Sequence, residues 1–450
     1  MREKQKNIII GESNKTILTI FISFLLLGEN LYANRGAVRE NPIDVLERSP
    51  ENKALTAQRK VQVSMNLPLN RALFFGTHDS YNSSAYRRNP SNQTYTITDQ
   101  LRLGARYLEL EVHWTNGRSG DKELLLCRGS NPNNHTGCYT YDLTLEAGLN
   151  EISQWIQKPE NQNEVLILYF KDRFDGHVSE FMSKISSKLG SLLYRHQSRN
   201  CLNQSPSVIP KLGDMVKANR RIFLTSNNCY NQEVSDSWGF YFRKDPFVSF
   251  QPSGFKGYPD CNFSRETYNS TLVRVYNDTI ARNASDRGGS FTNSNIQSML
   301  SCEVNLFGFD QFNADFAKQA VWSWDPATNQ PLNREDQEHC VRISANGRWS
   351  THHCDMNLKF ACKERDTGNW IVTSNRQGPW RDGSSACLFY SQSNLGRYQF
   401  AAPTTPYENK KLQDALISSG NSQTVWIDLT KKDGDNWGPD TTLEGYFSAP

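Results

Sequence analysis

The chain has 450 residues, with 50 lysines and arginines against 47 aspartates and glutamates and a net charge of +3. That balance supplies no broad field for nucleic acid or an anionic membrane, so any contact of that kind must be local, and nucleic acid is set aside as a partner. The length suits one large domain and a smaller one.

The first 33 residues read as a secretory signal peptide. Arg2, Lys4, Lys6 and Lys15 precede an apolar run over 17–27 broken only by Thr19 and Ser23, and Ala33 offers a small cleavage residue. The run is shorter than the ~20 residues that a membrane span requires. The mature protein is therefore expected outside the cytoplasm, secreted or periplasmic, with most of its ten cysteines in disulfides. Cys127 with Cys138 and Cys340 with Cys354 would close short loops, and the absence of a C-x₂-C pair argues against metal binding by them. Asn134, Asn262, Asn269, Asn277 and Asn283 begin Asn-x-Ser/Thr triplets, which mark solvated loops. Residues 34–64 are polar and weakly patterned and are expected as a leader.

From Leu69 onward short apolar runs alternate with amphipathic stretches. Strands are expected at 72–75, 107–112, 124–127, 165–170, 221–225 and 305–310, with helices at 145–156 and 178–193 between them. Strand then helix, repeated, implies a parallel sheet, and ~250 residues suit a (β/α) barrel. An open doubly wound sheet is the alternative, but no Gly-x-Gly-x-x-Gly turn follows the first strand. In such a barrel the residues just past the strand ends face the mouth, and those positions hold His78 and Asp79, Arg128, Lys171 and Asp172, and Asp310. Within the second strand Glu109, Glu111 and His113 share one face. Carboxylates brought together inside a fold repel unless a cation, a proton or an arginine lies between them.

The segments Gly76-Thr77-His78-Asp79-Ser80-Tyr81-Asn82, 99–111, 124–129 and 164–173 resemble, in order and spacing, the X-domain of phosphatidylinositol-specific phospholipase C and related phosphodiesterases. The resemblance implies a distorted TIM (β/α)8-type barrel over 65–320 that cleaves an inositol phospholipid or related glycolipid. It implies His78 as general base, oriented by Asp310, a role that suits a side chain titrating near pH 6.5. It also implies a divalent cation, calcium or alternatively magnesium, held by Asp79, Glu109, Glu111 and Asp172, with Lys171 competing for the last place. Where that family has Cys-His-Gly, this chain reads Cys127-Arg128-Gly129. Arginine stays charged and cannot protonate a leaving group, but Arg128, and Lys171 beside it, would bind phosphate. His113 and His135 are the candidates for the missing acid. A barrel that has lost catalysis and binds glycan or lipid is the competing expectation.

Residues 321–450 change character, with Trp322, Trp324, Trp349, Trp370, Trp380, Trp426 and Trp437 beside four cysteines. A smaller, mainly β and loop module is expected. His339-Cys340-Val341, Gly347-Arg348-Trp349, Cys354 and Phe360-Ala361-Cys362 resemble the closing half of a C-type lectin-like domain. Tyr398-Gln399-Phe400 and Val425-Trp426-Ile427 resemble its opening half, in reversed order. Tryptophans stack on sugars, yet in a small module they more often form the core. Trp238, Phe240, Tyr241, Phe242, Phe247, Phe250, Phe255 and Tyr258 offer either a rim for transient membrane contact or a packed strand and its cover.

Overall fold

The structure, a computed structural model, describes residues 40–129, 135–195, 209–228, 243–244, 247–261, 272–332, 340–390, 396–420, 424–432 and 436–439. The signal segment, Cys201, Cys229, the triplets at Asn134, Asn262 and Asn269, and the aromatics at 238–242 lie outside the described residues. Leu46–Pro450 form one compact unit.

Among the described residues, eight parallel strands form the main path of the larger, ten-stranded sheet. They are β1 (Phe74–Thr77), β2 (Tyr107–Asn116), β5 (Leu166–Arg173), β6 (Ile222–Ser226), β7 (Arg243–Lys244), β8 (Phe247–Phe250), β9 (Leu272–Tyr276) and β10 (Leu306–Phe309). Their order is β7-β6-β5-β2-β1-β10-β9-β8, and among the described residues no pairing closes β7 onto β8. The fold is therefore of the expected α/β barrel type. All of β1 and β10 and the first five residues of β5 are buried, as near-continuous apolar runs covered on both faces should be. Gly76 permits the closest approach in the sheet: a Cβ there would lie 2.1 Å from the carbonyl oxygen of Tyr107.

The helix Leu145–Ile156 starts where Thr144 accepts a hydrogen bond from the Ala147 amide, and buries Leu145, Leu149, Ile152 and Ile156 at helical spacing. The helix Val178–Leu189 buries Phe181, Met182, Ile185 and Leu189 and stops before Gly190, earlier than expected, because Leu193 bridges to Ile222 at the sheet.

Four expectations change. Residues 50–64 are no leader. Pro50–Ser64 is a helix capped by Ser49, and it buries Leu55, Gln58, Val61 and Gln62. Two of those inward residues are glutamines, which blurs the apolar period. The Gln58 amide donates to the Ala320 carbonyl and accepts from the Trp322 and Ser323 amides, so polar side chains do the docking. The 124–127 run is not a parallel barrel strand. As β3 (Lys122–Leu126) it folds back antiparallel on β2 and continues to β4 (Leu143–Thr144). Strands β7 and β9 were not expected, and β8 falls in the aromatic stretch for which a packed strand was one of two alternatives. Finally, Asn277 is buried rather than solvated. Its Oδ1 accepts from the Asp310 amide at 2.9 Å.

The second sheet comprises β11 (Cys340–Ile343), β12 (Trp349–His352), β13 (Lys359–Glu364), β14 (Trp370–Val372), β15 (Tyr398–Phe400), β16 (Val425–Lys431) and β17 (Trp437–Gly438). Its order is β12-β11-β16-β13-β14, with β15 on β13 and β17 on β16. The module also carries the helix Pro406–Ser418, opened by Thr405 accepting from the Glu408 amide. Disulfides join Cys340 to Cys354 and Cys362 to Cys387 here, and Cys127 to Cys138 and Cys261 to Cys302 in the barrel. All seven tryptophans of the module are buried. Trp349 and Trp380 donate their indole N–H groups to Asn409 Oδ1 and the Ile427 carbonyl, each at 2.8 Å. They are core residues, not platforms for a sugar. Phe247 is half-buried, and its ring packs edge-on against Tyr107 and Tyr169.

Candidate active site

His78 and Asp79 leave the end of β1, where the Gln93 amide donates to both the His78 and Phe309 carbonyls and ties β1 to β10. His78 Nδ1 lies 3.0 Å from Asp310 Oδ1. Asp310 is itself fixed by Asn92 Nδ2 at 3.0 and 2.9 Å and by the Thr279 amide and hydroxyl at 2.6 and 2.8 Å. A carboxylate accepts, so Nδ1 carries a proton, and Nε2 is the nitrogen placed to exchange one with a substrate hydroxyl. Nε2 stands 3.6 Å from Glu109 Oε1 and 3.9 Å from Asp79 Oδ2. Burial works against the charged imidazole. Asp79, Glu109 and the Asp310 hydrogen bond together outweigh it and raise the His78 pKa above the ordinary value.

Asp79 adopts a left-handed backbone, φ 43°, a conformation that costs a non-glycine residue about 1–3 kcal/mol and persists only where the surroundings demand it. Lys171 Nζ binds its Oδ1 at 3.0 Å, and Arg128 lies 3.5 Å from its Oδ2. Burial would raise the Asp79 pKa, but Lys171, His78 and Arg128 hold it well below the carboxylate range. Glu109 is fully buried, yet its pKa falls to about 2 because Arg274 and Lys171 both pair with it. Tyr107 donates its hydroxyl to the same carboxylate at 3.1 Å. Lys171 responds in kind: burial lowers its pKa, and Asp79 and Glu109 raise it above the ordinary lysine value.

Strand register decides which residue of β5 joins this group. β2 and β5 pair Glu111 with Lys171 and Val112 with Asp172, so Lys171 shares the inward face of Glu109 and Glu111 and Asp172 does not. Asp172 instead accepts from the Phe174 amide and from Asn228. It is thereby removed from the expected ligand set.

Arg128 follows β3 and is held by the Cys127–Cys138 disulfide. Its guanidinium grips Asp278 with both terminal nitrogens and donates to Asn92 Oδ1 at 3.1 Å, while its side chain remains 27% exposed. His113 and His135 do not face His78. Their Nδ1 atoms meet at 2.8 Å, His113 Nε2 lies 3.1 Å from Glu111 Oε1, and His135 Nε2 lies 2.8 Å from Asp175 Oδ2. Gly129 closes over this pair: a Cβ there would sit 2.4 Å from the His113 ring. Glu111 thus turns toward the imidazoles.

Sequence reasoning missed Arg274, Asn92, Asp278 and Thr279. Leu272-Val273-Arg274-Val275-Tyr276 alternates as a strand should, and the strand-end rule applied to it points to Asp278 and Thr279. Asn92, in a polar loop, carries no such signal.

Among the described residues, His78, Asp79 and Glu109 bring potential ligand atoms within 4.8 Å of one another, as do His78, Asp278 and Asp310. The donor set does not suit a divalent ion. Both oxygens of Glu109 and one of Asp79 already face Lys171 or Arg274, and the Asp278 carboxylate is gripped by Arg128.

A phosphatidylinositol-specific phospholipase C from Listeria monocytogenes aligns over 61% of this chain and 99% of its own, with a TM-score of 0.39 and 15% identity. A calcium-dependent phosphoinositol-specific phospholipase C from Pseudomonas aligns over 56% and 93%, with a TM-score of 0.36 and 17% identity. The uncharacterized proteins Rv2075c and MT2135 of Mycobacterium tuberculosis strains are each 28% identical over 337 residues, 68% of this chain and 67% of theirs. The model of the Rv2075c PI-PLC-like domain matches residues 52–315, from within the helix Pro50–Ser64 to the helix after β10, and the chain belongs to that family.

Proposed function

We propose that this protein is an exported phosphodiesterase of the phospholipase C type that acts on phosphatidylinositol or a related inositol or glyco-phospholipid. The observation that carries the reading is the His78–Asp310 pair, its Nε2 set among Asp79 and Glu109 in a cluster that also holds Lys171 and Arg128. His78 Nε2 takes the proton of an inositol hydroxyl, that oxygen forms a bond to phosphorus, and the bond to the lipid oxygen breaks. The diacylglycerol oxygen collects its proton from water or from the His78 imidazolium. Arg128 and Lys171 bear the charge that accumulates on the phosphate oxygens. The family match and the four disulfides among the described residues support an exported enzyme of this class. A barrel that only binds lipid is favoured by one observation: Arg128 stands at the acid position, and neither His113 nor His135 contacts His78.

Head-group release from phosphatidylinositol vesicles by purified mature protein separates the two. Release is expected and should fall by about 10³-fold or more in His78→Ala. Undiminished release by that variant refutes the mechanism, and no release of any phosphodiester head group favours the binding reading.

A further inference from the structure

We infer, resting on the phosphodiesterase reading, that Lys171 and Arg274 together replace a divalent metal, so that turnover in this protein requires neither calcium nor magnesium. The inference begins with the oxygens. Asp79 Oδ1 and Glu109 Oε1 both bind the Lys171 ammonium, and Glu109 Oε2 binds Arg274 and the Tyr107 hydroxyl. Asp79 Oδ2 faces Arg128 at 3.5 Å and His78 at 3.9 Å. Calcium needs six to eight oxygen ligands, and each one here already has a cation beside it. Charge agrees. Asp79, Glu109, Asp278 and Asp310 face Lys171, Arg274, Arg128 and the ionisable His78, a set that a divalent ion would push to a positive excess.

The placement is built into the fold. Parallel pairing of β2 with β5 aligns Lys171 with Glu111, and strand alternation sends Lys171 inward. Arg274 comes from β9 on the other side of the barrel, where it lies 4.0 Å above the Tyr276 ring and is nearly as buried as Glu109. It neutralises the floor. Lys171 is the more open of the two, with 24% of its side chain exposed. The ammonium donates to Asp79 and forms an ion pair with Glu109, and with three donors in all it retains one for a phosphate oxygen in the mouth. A metal ion would offer the same thing, a positive charge between two carboxylates with one position open to substrate.

The full mature chain decides this in two assays, calcium titration by calorimetry and head-group release from phosphatidylinositol with calcium, magnesium or chelator. Calcium should show no binding that Glu109→Gln removes, and chelator should change release by less than about twofold. Lys171→Gln should lose about 10²-fold or more in kcat with no recovery in calcium, while Lys171→Arg, which keeps the charge, should recover most of that loss. A stoichiometric calcium site in the wild type that Glu109→Gln abolishes would overturn the inference, as would chelator-sensitive release or full activity of Lys171→Gln. If the wild type releases nothing, the phosphodiesterase reading fails and the calorimetric comparison still answers the metal question. If Lys171→Gln does not fold, the wild-type titration and chelator arms decide.

Discussion

Asp310→Asn tests the orientation of His78 with almost no change of shape. The carboxylate accepts from His78 Nδ1 at 3.0 Å while also receiving Asn92 and Thr279. A hydrogen bond to a charged group contributes about 1.5–3 kcal/mol, so loss of the charge alone should lower kcat about 10–100-fold. An asparagine can also turn its NH₂ toward Nδ1 and stabilise the tautomer whose Nε2 is protonated and useless as a base, which can extend the loss to about 10⁴-fold. The pH profile carries a second signature. The base must be neutral, so activity falls as pH drops through the His78 pKa. The raised pKa places that fall above the ordinary value near 6.5. Asp310→Asn removes one of the groups that raise it and should move the acid limb to lower pH while the plateau drops. Steady-state kinetics between pH 5 and 9 on phosphatidylinositol would show both changes. A variant that keeps its plateau, or whose acid limb moves upward, would refute the assigned role.

Arg128→Lys should lose the two-nitrogen grip on Asp278 and lower kcat/KM by about 10–100-fold, because one ammonium cannot reproduce the guanidinium fork; a variant within twofold of wild type would contradict a role on phosphate. Glu164 pairs with Arg106 at 2.8 Å and Arg59 at 3.0 Å, joining the helix Pro50–Ser64 to the barrel, and its pKa falls to about 2 against burial. A depressed carboxylate stabilises the fold above its unfolded pKa near 4.5 and loses that contribution as pH falls toward about 2. Glu164→Gln should therefore destabilise the protein by about 3–5 kcal/mol at pH 7, by stranding Arg106, and should show a smaller difference from wild type at acid pH in denaturant melts.

Much of the barrel was legible because its signal is local. An apolar run such as 165–170 must be buried on both faces, 107–112 alternates apolar residues with glutamates as a strand does, and the amphipathic spacing of Leu145–Ile156 admits one inward side. The strand-end rule grouped His78, Asp79, Arg128, Lys171, Asp172 and Asp310; contacts of 3.0–3.9 Å link all of these but Asp172, and Arg128 arrives from the antiparallel β3 rather than from a barrel strand. The helix Pro50–Ser64 was hidden because glutamines face inward, where hydrogen bonds to Ala320, Trp322 and Ser323 substitute for apolar contact.

What residue order determined by itself is the menu: which side chains sit at strand ends, which face of β2 carries Glu109, Glu111 and His113, and which cysteines close short loops. What only the tertiary structure decided is who partners whom. The register of β2 against β5 brings in Lys171 and excludes Asp172. Strand β9, about 165 residues from Glu109, delivers Arg274. His113 on β2 and His135, within the loop closed by the Cys127–Cys138 disulfide, meet each other rather than His78. These outcomes depend on Coulomb and hydrogen-bond terms between groups distant in the chain, acting over a few ångströms, and no local pattern of residues encodes such distances.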